Sequence, residues 1–234
     1  MKKLFGLFVF GLILFFGCST QQGSPSATLD MRYKDQIIAI AGRAYERELT
    51  SGTGGDISVR VPDSDHFIIK GTGNCFGDLS YDRLSTVGLD GKVLPGSPQP
   101  SHETDIHCAI YNLREEVGAV MHVHSPYATA WATCGRTIPP ITQQSVEVLK
   151  DVQIIPYYPP GSMEMLDAVM DCYNNPVTKV VMMENHGVFL VGNDLPDLLY
   201  KAEVIENTAR IAILCENIGA PVKFEYMPPI PYHK

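Results

Sequence analysis

A run of five residues, Val-Met-His-Val-His at 120–124, constrains the fold of this chain more than any other segment. Because side chains alternate along a β-strand, His122 and His124 would lie on the same face of a sheet. Two imidazoles on one face of a rigid strand can bind the same divalent metal ion. Glu103 lies upstream at the predicted start of an amphipathic helix, and His186 lies much further along the chain. Three histidines and an acid favour a catalytic zinc site with an open position over a closed structural site.

Length and charge limit the classes of protein that remain. A chain of 234 residues suits one domain with a substantial core. The formal net charge of −8 argues against a nucleic-acid partner, which requires a basic surface. Apart from Cys18, the five cysteines include no CxxC pair, so we expect most of them to be buried apolar residues.

The N-terminus has the pattern of an export signal. Two lysines are followed by an uncharged apolar run over 4–16 and then by Gly17-Cys18. This order is typical of a secretory signal, and the run is too short to span a membrane comfortably. We predict a signal peptide over 1–18, a flexible linker over 19–29 and a single domain over 30–234.

Cys18 leaves several interpretations of that signal open. Gly17-Cys18 resembles the end of a bacterial lipoprotein signal, whose cysteine is lipidated and tethers the protein to a membrane, although Phe15 and Phe16 depart from that pattern. A plain signal, an uncleaved anchor and a mis-assigned start codon are the alternatives. We predict an exported protein, either periplasmic or membrane-anchored through Cys18, with a cytoplasmic location as the alternative.

Helical and strand patterns are mixed along the rest of the chain. Two glycine-rich loops, 52–55 and 71–73, flank the first predicted hairpin, where a ligand can approach. Short strands joined partly by hairpins indicate a mixed sheet covered by helices on both faces. We predict helices over 29–49, 102–117, 127–134, 163–173 and 195–218, and strands over 56–60, 67–70, 119–124, 152–158, 179–183 and 187–191.

Five short motifs follow one another along the chain, at Gly55–Arg60, Thr72-Gly73, Pro100–Glu103, His122–His124 and Asn185–Gly187. In this order they resemble the class II aldolase/adducin family, whose members include fuculose-phosphate aldolase and ribulose-phosphate 4-epimerase. The fold that this resemblance implies is α/β, a three-layer α/β/α sandwich with a mixed, largely antiparallel central sheet. It also implies a homotetramer with the active site at a subunit interface.

The resemblance implies a role for each residue of a candidate site. Zinc, or another divalent metal, would be held by His122, His124 and His186. Glu103 would be the catalytic base and a further candidate ligand. The substrate would be bound by Asp56, Thr72, Gly73, Ser101 and His102.

The implied activity is that of a metal-dependent carbon–carbon lyase in carbohydrate metabolism. A small hydroxy-carbonyl substrate, either a sugar or a sugar phosphate, would be cleaved through a metal-stabilised enediolate. An epimerase, a decarboxylase and a dehydratase on the same scaffold are the alternatives. A non-catalytic, adducin-like binding module is the alternative from another class.

Two departures from the family pattern leave the substrate and the reaction open. Asp56 stands where the sugar-phosphate members have Asn, and His102 stands where they have Ser. A carboxylate ~4 Å from a phosphate would repel it by about 1 kcal/mol in water and by more in a partly dry site, unless a protonated His102 or Lys70 offsets the charge.

The second departure concerns the catalytic acid, because the tyrosine and the aspartate that family members use have no clear equivalent here. Glu147, Tyr157 and Tyr226 lie in the corresponding regions of the chain.

For some candidate residues, a structural role is the alternative to a functional one. Glu103 would suit the start of a helix for electrostatic reasons alone, and we expect His107 to be an ordinary core residue.

Overall fold

A computed structural model describes residues 25–219, which form a seven-stranded sheet between two layers of helices. The predicted signal peptide over 1–18 lies outside the described residues, as does the tail after residue 219. None of the helices within 25–219 combines the length and the apolar character that crossing a bilayer requires.

Within residues 25–219, six α-helices are interspersed with seven strands, and two short 3₁₀ turns lie at Phe76–Asp78 and Tyr81–Arg83. The helices are α1 (Pro25–Glu46), α2 (Thr104–Leu113), α3 (Pro126–Thr133), α4 (Gln143–Val148), α5 (Met163–Tyr173) and α6 (Leu195–Ile218). The strands are β1 (Asp56–Arg60), β2 (His66–Lys70), β3 (Leu84–Gly88), β4 (Ala119–Val123), β5 (Val152–Ile155), β6 (Val180–Met183) and β7 (Gly187–Gly192).

The sheet runs in the order β3-β2-β1-β4-β7-β6-β5. Every neighbouring pair is antiparallel except β5 and β6, which are parallel. At its centre, β4 pairs with both β1 and β7, and Asp56 lies directly opposite His122 in the register. The predicted fold, a three-layer sandwich with a mixed and largely antiparallel sheet, is confirmed.

The period of two along the central strands divides their side chains between two cores. On β4, Met121 and Val123 join the core under α1, α3 and α6. Val120 joins the second core, which includes apolar residues of α2 and α5. His122 alternates with Met121 and therefore lies on the α2 side of the sheet. Because each large apolar side chain contributes about 1.5–3 kcal/mol on full burial, both faces stabilise the sheet.

Several element boundaries differ by one to four residues from the sequence predictions. Helix α1 begins at Pro25, inside the predicted linker, because Leu29 and Tyr33 already pack against the core. Helix α2 ends at Leu113 instead of residue 117, since the buried Arg114 turns away and donates hydrogen bonds to Thr178 O and Pro176 O. Strand β5 ends at Ile155, three residues before the predicted end.

Candidate metal centre and cavity

His122 and His124 lie at the C-terminal end of β4 and turn their rings toward each other. Their Nε2 atoms are 2.8 Å apart. His122 Nδ1 lies 3.2 Å from Val188 O, so the proton on Nδ1 is donated to this carbonyl and the lone pair of Nε2 is left free. The ring also stacks on Phe189, with 4.6 Å between centroids. This second contact fixes the orientation that a metal ligand needs.

His186 reaches the same point from the turn between β6 and β7. Asn185 adopts a left-handed conformation with φ +55°, which asparagine tolerates better than most residues. The ring centroid of His186 is 4.7 Å from that of His122 and 5.2 Å from that of His124. One ring nitrogen from each histidine lies within 4.8 Å of the other two. The three predicted metal ligands therefore converge in space.

Two glycines allow the backbone to approach this cluster closely. A Cβ atom on Gly187 would lie 2.4 Å from Val123 O and 2.8 Å from His124 Cδ2. A Cβ atom on Gly54 would lie 2.7 Å from His124 Nδ1. All three distances are shorter than contacts between non-bonded atoms in folded proteins allow, so a side chain at either position would displace neighbouring atoms of the cluster.

Glu103 faces the cluster from the start of α2. Its Oε2 lies 3.6 Å from His122 Nε2, and its Oε1 lies 3.7 Å from His186 Nε2. The side chain is buried at the N-cap position but makes no capping hydrogen bond, so capping does not account for its position. Oε2 is buried without a hydrogen-bond partner among the described residues.

The protonation states of these groups suit a divalent cation. Burial, together with the nearby His124, lowers the pKa of His186 to about 4, and burial holds the pKa of His122 well below its usual value. Neutral imidazole is the form that ligates metals. Burial and the negative charge of Asp56 raise the pKa of Glu103 to about 9. A bound cation would favour the ionised form of this carboxyl. Three neutral nitrogens and one acid therefore fit the predicted cation.

The cluster lies in a cavity of about 350 Å³. All five residues predicted to bind substrate line it. Lys70, predicted only as a charge that could offset Asp56, lines it too. Of the candidate acids, Glu147 and Tyr157 are not among the described lining residues, and Tyr226 lies outside the described part. The lining residues are Thr53, Gly54, Gly55, Asp56, Lys70, Thr72, Gly73, Ser101, His102, Glu103, His122, His124, Pro160 and His186.

Lys70 is a buried cation in the cavity wall. Its Nζ donates hydrogen bonds to Thr53 O at 3.1 Å and to Asn74 O at 2.7 Å. Burial lowers its pKa, and the charge of Asp56 opposes this effect by favouring the ammonium form. Since an ammonium group has three protons, one is left for a ligand.

Asp56 is held by hydrogen bonds to both of its carboxylate oxygens. His107 Nε2 lies 2.6 Å from Oδ1, and Ser101 Oγ donates to Oδ2 at 2.8 Å. Burial of Asp56 would favour its protonated form, but the charge and the hydrogen bond of His107 outweigh burial and hold its pKa well below the usual value. The expectation that His107 is only a core residue therefore missed a contact with the cavity wall.

A spacing pattern in the sequence contains the signal for His107. Glu103, His107 and Tyr111 recur at intervals of four residues, so they lie along one face of α2. Asp56 and Ser58 are two residues apart on β1 and face that helix. The two polar rows meet where Ser58 Oγ lies 2.7 Å from both His107 Nδ1 and Tyr111 OH.

Comparison with known proteins agrees with this geometry. The profile of the family described as "Class II Aldolase and Adducin N-terminal domain" matches residues 35–213. The chain is 31% identical to the L-fuculose phosphate aldolase of Methanococcus maripaludis over 182 residues, which cover 78% of this chain and 97% of that protein. It is 34% identical to the 3-oxo-tetronate 4-phosphate decarboxylase of Haemophilus influenzae over 188 residues, or 78% and 87% of the two chains.

Solved structures show the same similarity. The crystal structure of YgbL from Klebsiella pneumoniae superimposes with a TM-score of 0.75 at 28% identity, covering 81% of this chain and 92% of that chain. An L-fuculose 1-phosphate aldolase superimposes with a TM-score of 0.74 at 26% identity, covering 84% and 90%. The similarity thus extends over most of the described residues in both sequence and structure.

Proposed function

This chain belongs to the class II aldolase and adducin family, and from that membership we propose that it is a lyase that requires a divalent metal. Its substrate would be a small hydroxy-carbonyl compound, and it would break a carbon–carbon bond next to the carbonyl group. The convergence of three histidines and Glu103 in one cavity supports this proposal more than any other observation.

Each residue of the cluster has a chemical task in this proposal. His122, His124 and His186 would hold the cation, and Val188 O would keep the Nε2 atom of His122 unprotonated. When bound, a divalent cation polarises a carbonyl oxygen and stabilises the negative charge that develops on it. Glu103 lies beside two of the histidines, so its carboxyl group could take a proton from the substrate or return one. The retained cluster argues against a non-catalytic binding module.

A decarboxylase is the second candidate function. It is supported by one observation, since the decarboxylase of Haemophilus influenzae is as similar to this chain as the aldolase of Methanococcus maripaludis. Both reactions leave negative charge next to a carbonyl group, so the same cluster could support either. They differ in the group that leaves, which is an aldehyde from a lyase acting on a hydroxy-ketone and carbon dioxide from a decarboxylase acting on a keto acid.

The test begins with the metal content of the purified protein. We expect about one zinc or other divalent ion per chain in the wild type and loss of the ion in His122→Ala. The metal-loaded protein would then be incubated with hydroxy-ketones and with 3-keto acids, each with and without a phosphate group. Release of an aldehyde would identify a lyase, and release of carbon dioxide would identify a decarboxylase. A wild-type protein that neither contains nor takes up a divalent ion would overturn the proposal.

Two further expectations belong to this proposal. We propose a homotetramer, which light scattering of the purified protein would test.

We also propose export, directed by residues 1–18, with lipidation at Cys18 if the signal is of the lipoprotein type. Mass analysis of the native N-terminus would test this, and an intact Met1 in the cytosolic fraction would exclude export.

A further inference from the structure

The ring of His124 is held between two glycines, one on each side. A Cβ atom on Gly187 would lie 2.8 Å from Cδ2 of the ring, and a Cβ atom on Gly54 would lie 2.7 Å from Nδ1 and 3.1 Å from Cε1. Since Cδ2 and the Nδ1–Cε1 pair are on opposite sides of an imidazole, the backbone contacts the ring from both sides. Between these contacts, Nε2 is directed toward His122 Nε2, which lies 2.8 Å away.

The two glycines differ in how firmly the chain holds them. Gly187 is the first residue of β7 and pairs with β6 in the sheet. Gly54 lies in loop 51–55, whose sequence is Ser-Gly-Thr-Gly-Gly and whose first three residues are exposed. The loop has no large apolar side chain to bury, so it depends on hydrogen bonds. Segments of this kind open locally at a low cost in free energy.

Thr50 anchors this loop. Its side chain is buried, and its Oγ1 donates a hydrogen bond of 2.8 Å to Gly54 O. Gly54 N donates to Ser51 O at 3.1 Å, and Lys70 Nζ donates to Thr53 O at 3.1 Å. Of these three bonds, the bond from Thr50 joins a buried side chain directly to the residue that contacts His124.

The ring of His124 needs such support more than the ring of His122. His122 donates a proton to Val188 O, and this is the usual way in which a metal-binding histidine is oriented. Within residues 25–219, no hydrogen bond orients His124 through Nδ1. The orientation of His124 therefore depends on its packing, and on one side of the ring that packing depends on the hydroxyl of Thr50.

We propose that Thr50 is a positioning residue of the metal centre. Its hydroxyl holds loop 51–55 against His124, so that closing the loop and binding the metal favour each other. Thr50 is not among the described residues that line the cavity, so it acts through His124 and not on the substrate. This inference rests on the proposed function in one respect, because it takes the three histidines to bind a divalent cation.

The experiment compares Thr50→Val, which removes the hydroxyl and keeps the shape, with Thr50→Ser, which keeps the hydroxyl. The zinc affinity of each protein would be measured by competition with a chromophoric chelator. We expect Thr50→Val to bind zinc about tenfold more weakly than the wild type, and Thr50→Ser to stay within about threefold of it. Wild-type affinity in folded Thr50→Val would overturn the inference, and so would an equal loss in Thr50→Ser.

Thr208→Val is the matched control for a lost buried hydroxyl. Thr208 is a buried residue of α6, and its Oγ1 lies 3.5 Å from Thr142 Oγ1. This variant should keep the zinc affinity of the wild type even where its unfolding temperature falls. A loss of affinity in Thr208→Val as large as that in Thr50→Val would show that general destabilisation is responsible, and it would overturn the inference.

Cobalt(II) in place of zinc gives a spectroscopic readout, because its absorption spectrum depends on the number and the geometry of its ligands. We expect the spectrum of cobalt-loaded Thr50→Val to differ from that of the wild type, and the spectra of Thr50→Ser and Thr208→Val to match it. A protein that is only less stable would keep the wild-type spectrum in its folded fraction. An unchanged spectrum in Thr50→Val would therefore overturn the inference.

A measurement on the wild type keeps the inference testable if Thr50→Val does not fold. If closing the loop favours metal binding, metal binding must favour closing the loop by the same factor. We expect zinc to slow hydrogen exchange at the amide of Gly54 at least about tenfold. The amide of Gly91 is the control, because it also donates within a turn, to Gly88 O at 2.9 Å, and Gly91 is not among the residues that line the cavity. Equal exchange at Gly54 with and without zinc would overturn the inference.

The outcomes distinguish this inference from the proposed function. A wild-type protein that takes up no divalent ion would overturn the proposed function and this inference with it. A wild-type protein that binds zinc, beside a Thr50→Val variant that binds it equally well, would overturn this inference alone.

Discussion

The two faces of the central sheet are built from the same strands but present different kinds of side chain. Toward α1 and α6, strands β1 and β4 present apolar side chains, such as Ile57 and Met121. Toward α2, the neighbouring positions on the same strands are Asp56, Ser58 and His122. One face therefore stabilises the protein by burial, whereas the other combines burial with the polar groups of the cavity. This contrast implies that substitutions one residue apart on a strand should have different consequences.

Replacement of Glu103 by Gln should have the largest effect, because it removes the proposed proton carrier next to the histidines and keeps the shape of the side chain. We expect kcat to fall about 100-fold to 10,000-fold, with little change in unfolding temperature. Steady-state kinetics of the metal-loaded variant would measure this. Wild-type activity in Glu103→Gln would show that the α2 side of the sheet carries no catalytic acid or base at this position.

Met121→Ala tests the opposite face, since Met121 is fully buried in the core under α1 and α6. Its loss should lower the free energy of unfolding by about 2–5 kcal/mol, measured by urea denaturation. The metal content of the folded fraction should stay at the wild-type value. Leu214→Ala, at a half-exposed position of α6, is the control and should change stability by less than about 0.5 kcal/mol. Loss of metal from folded Met121→Ala would show that the two faces are not separable.

Gly187→Ala should affect both stability and metal binding. The added Cβ atom would overlap Val123 O and crowd His124, so we expect about 1–3 kcal/mol of destabilisation together with weaker metal binding. Thermal unfolding with and without zinc would measure both effects. Gly42→Ala is the control, because a Cβ atom there meets no neighbour within 4 Å and alanine favours a helix. Unchanged zinc affinity in Gly187→Ala would mean that the histidines do not depend on this close approach.

Tyr111→Phe should have the smallest effect. It removes the hydroxyl that lies 2.7 Å from Ser58 Oγ and leaves Asp56 and Lys70 in place. We expect a loss of about 1 kcal/mol in the free energy of unfolding, with wild-type metal content. Ser58→Ala, one step closer to Asp56, should cost more, because both Tyr111 and His107 lose a partner. An equal or smaller cost in Ser58→Ala would show that Ser58 does not hydrogen-bond both Tyr111 and His107.

The fold and the histidine cluster could be predicted because their signals are local or carried by motifs. Two histidines two residues apart on a strand must share a face, whatever packs against it. The role of His107 could not be predicted in the same way, because its contact with Asp56 depends on how α2 packs over β1. The end of α2 depends on bonds from Arg114 to residues more than sixty positions away. Helix α4 has only six residues, too few to show a helical period, so the sequence pattern did not predict it.

The register between β4 and β7 has a practical consequence. His122 lies opposite Phe189 and Val123 lies opposite Val188 in this pair, and a slip by one residue would turn every side chain of the shifted strand to the other side of the sheet. The proposed binding of zinc by the histidines would then be lost together with correct strand pairing. Zinc stoichiometry, measured on any future variant, would therefore serve as an assay of whether the middle of the molecule has assembled correctly, even before a substrate is known.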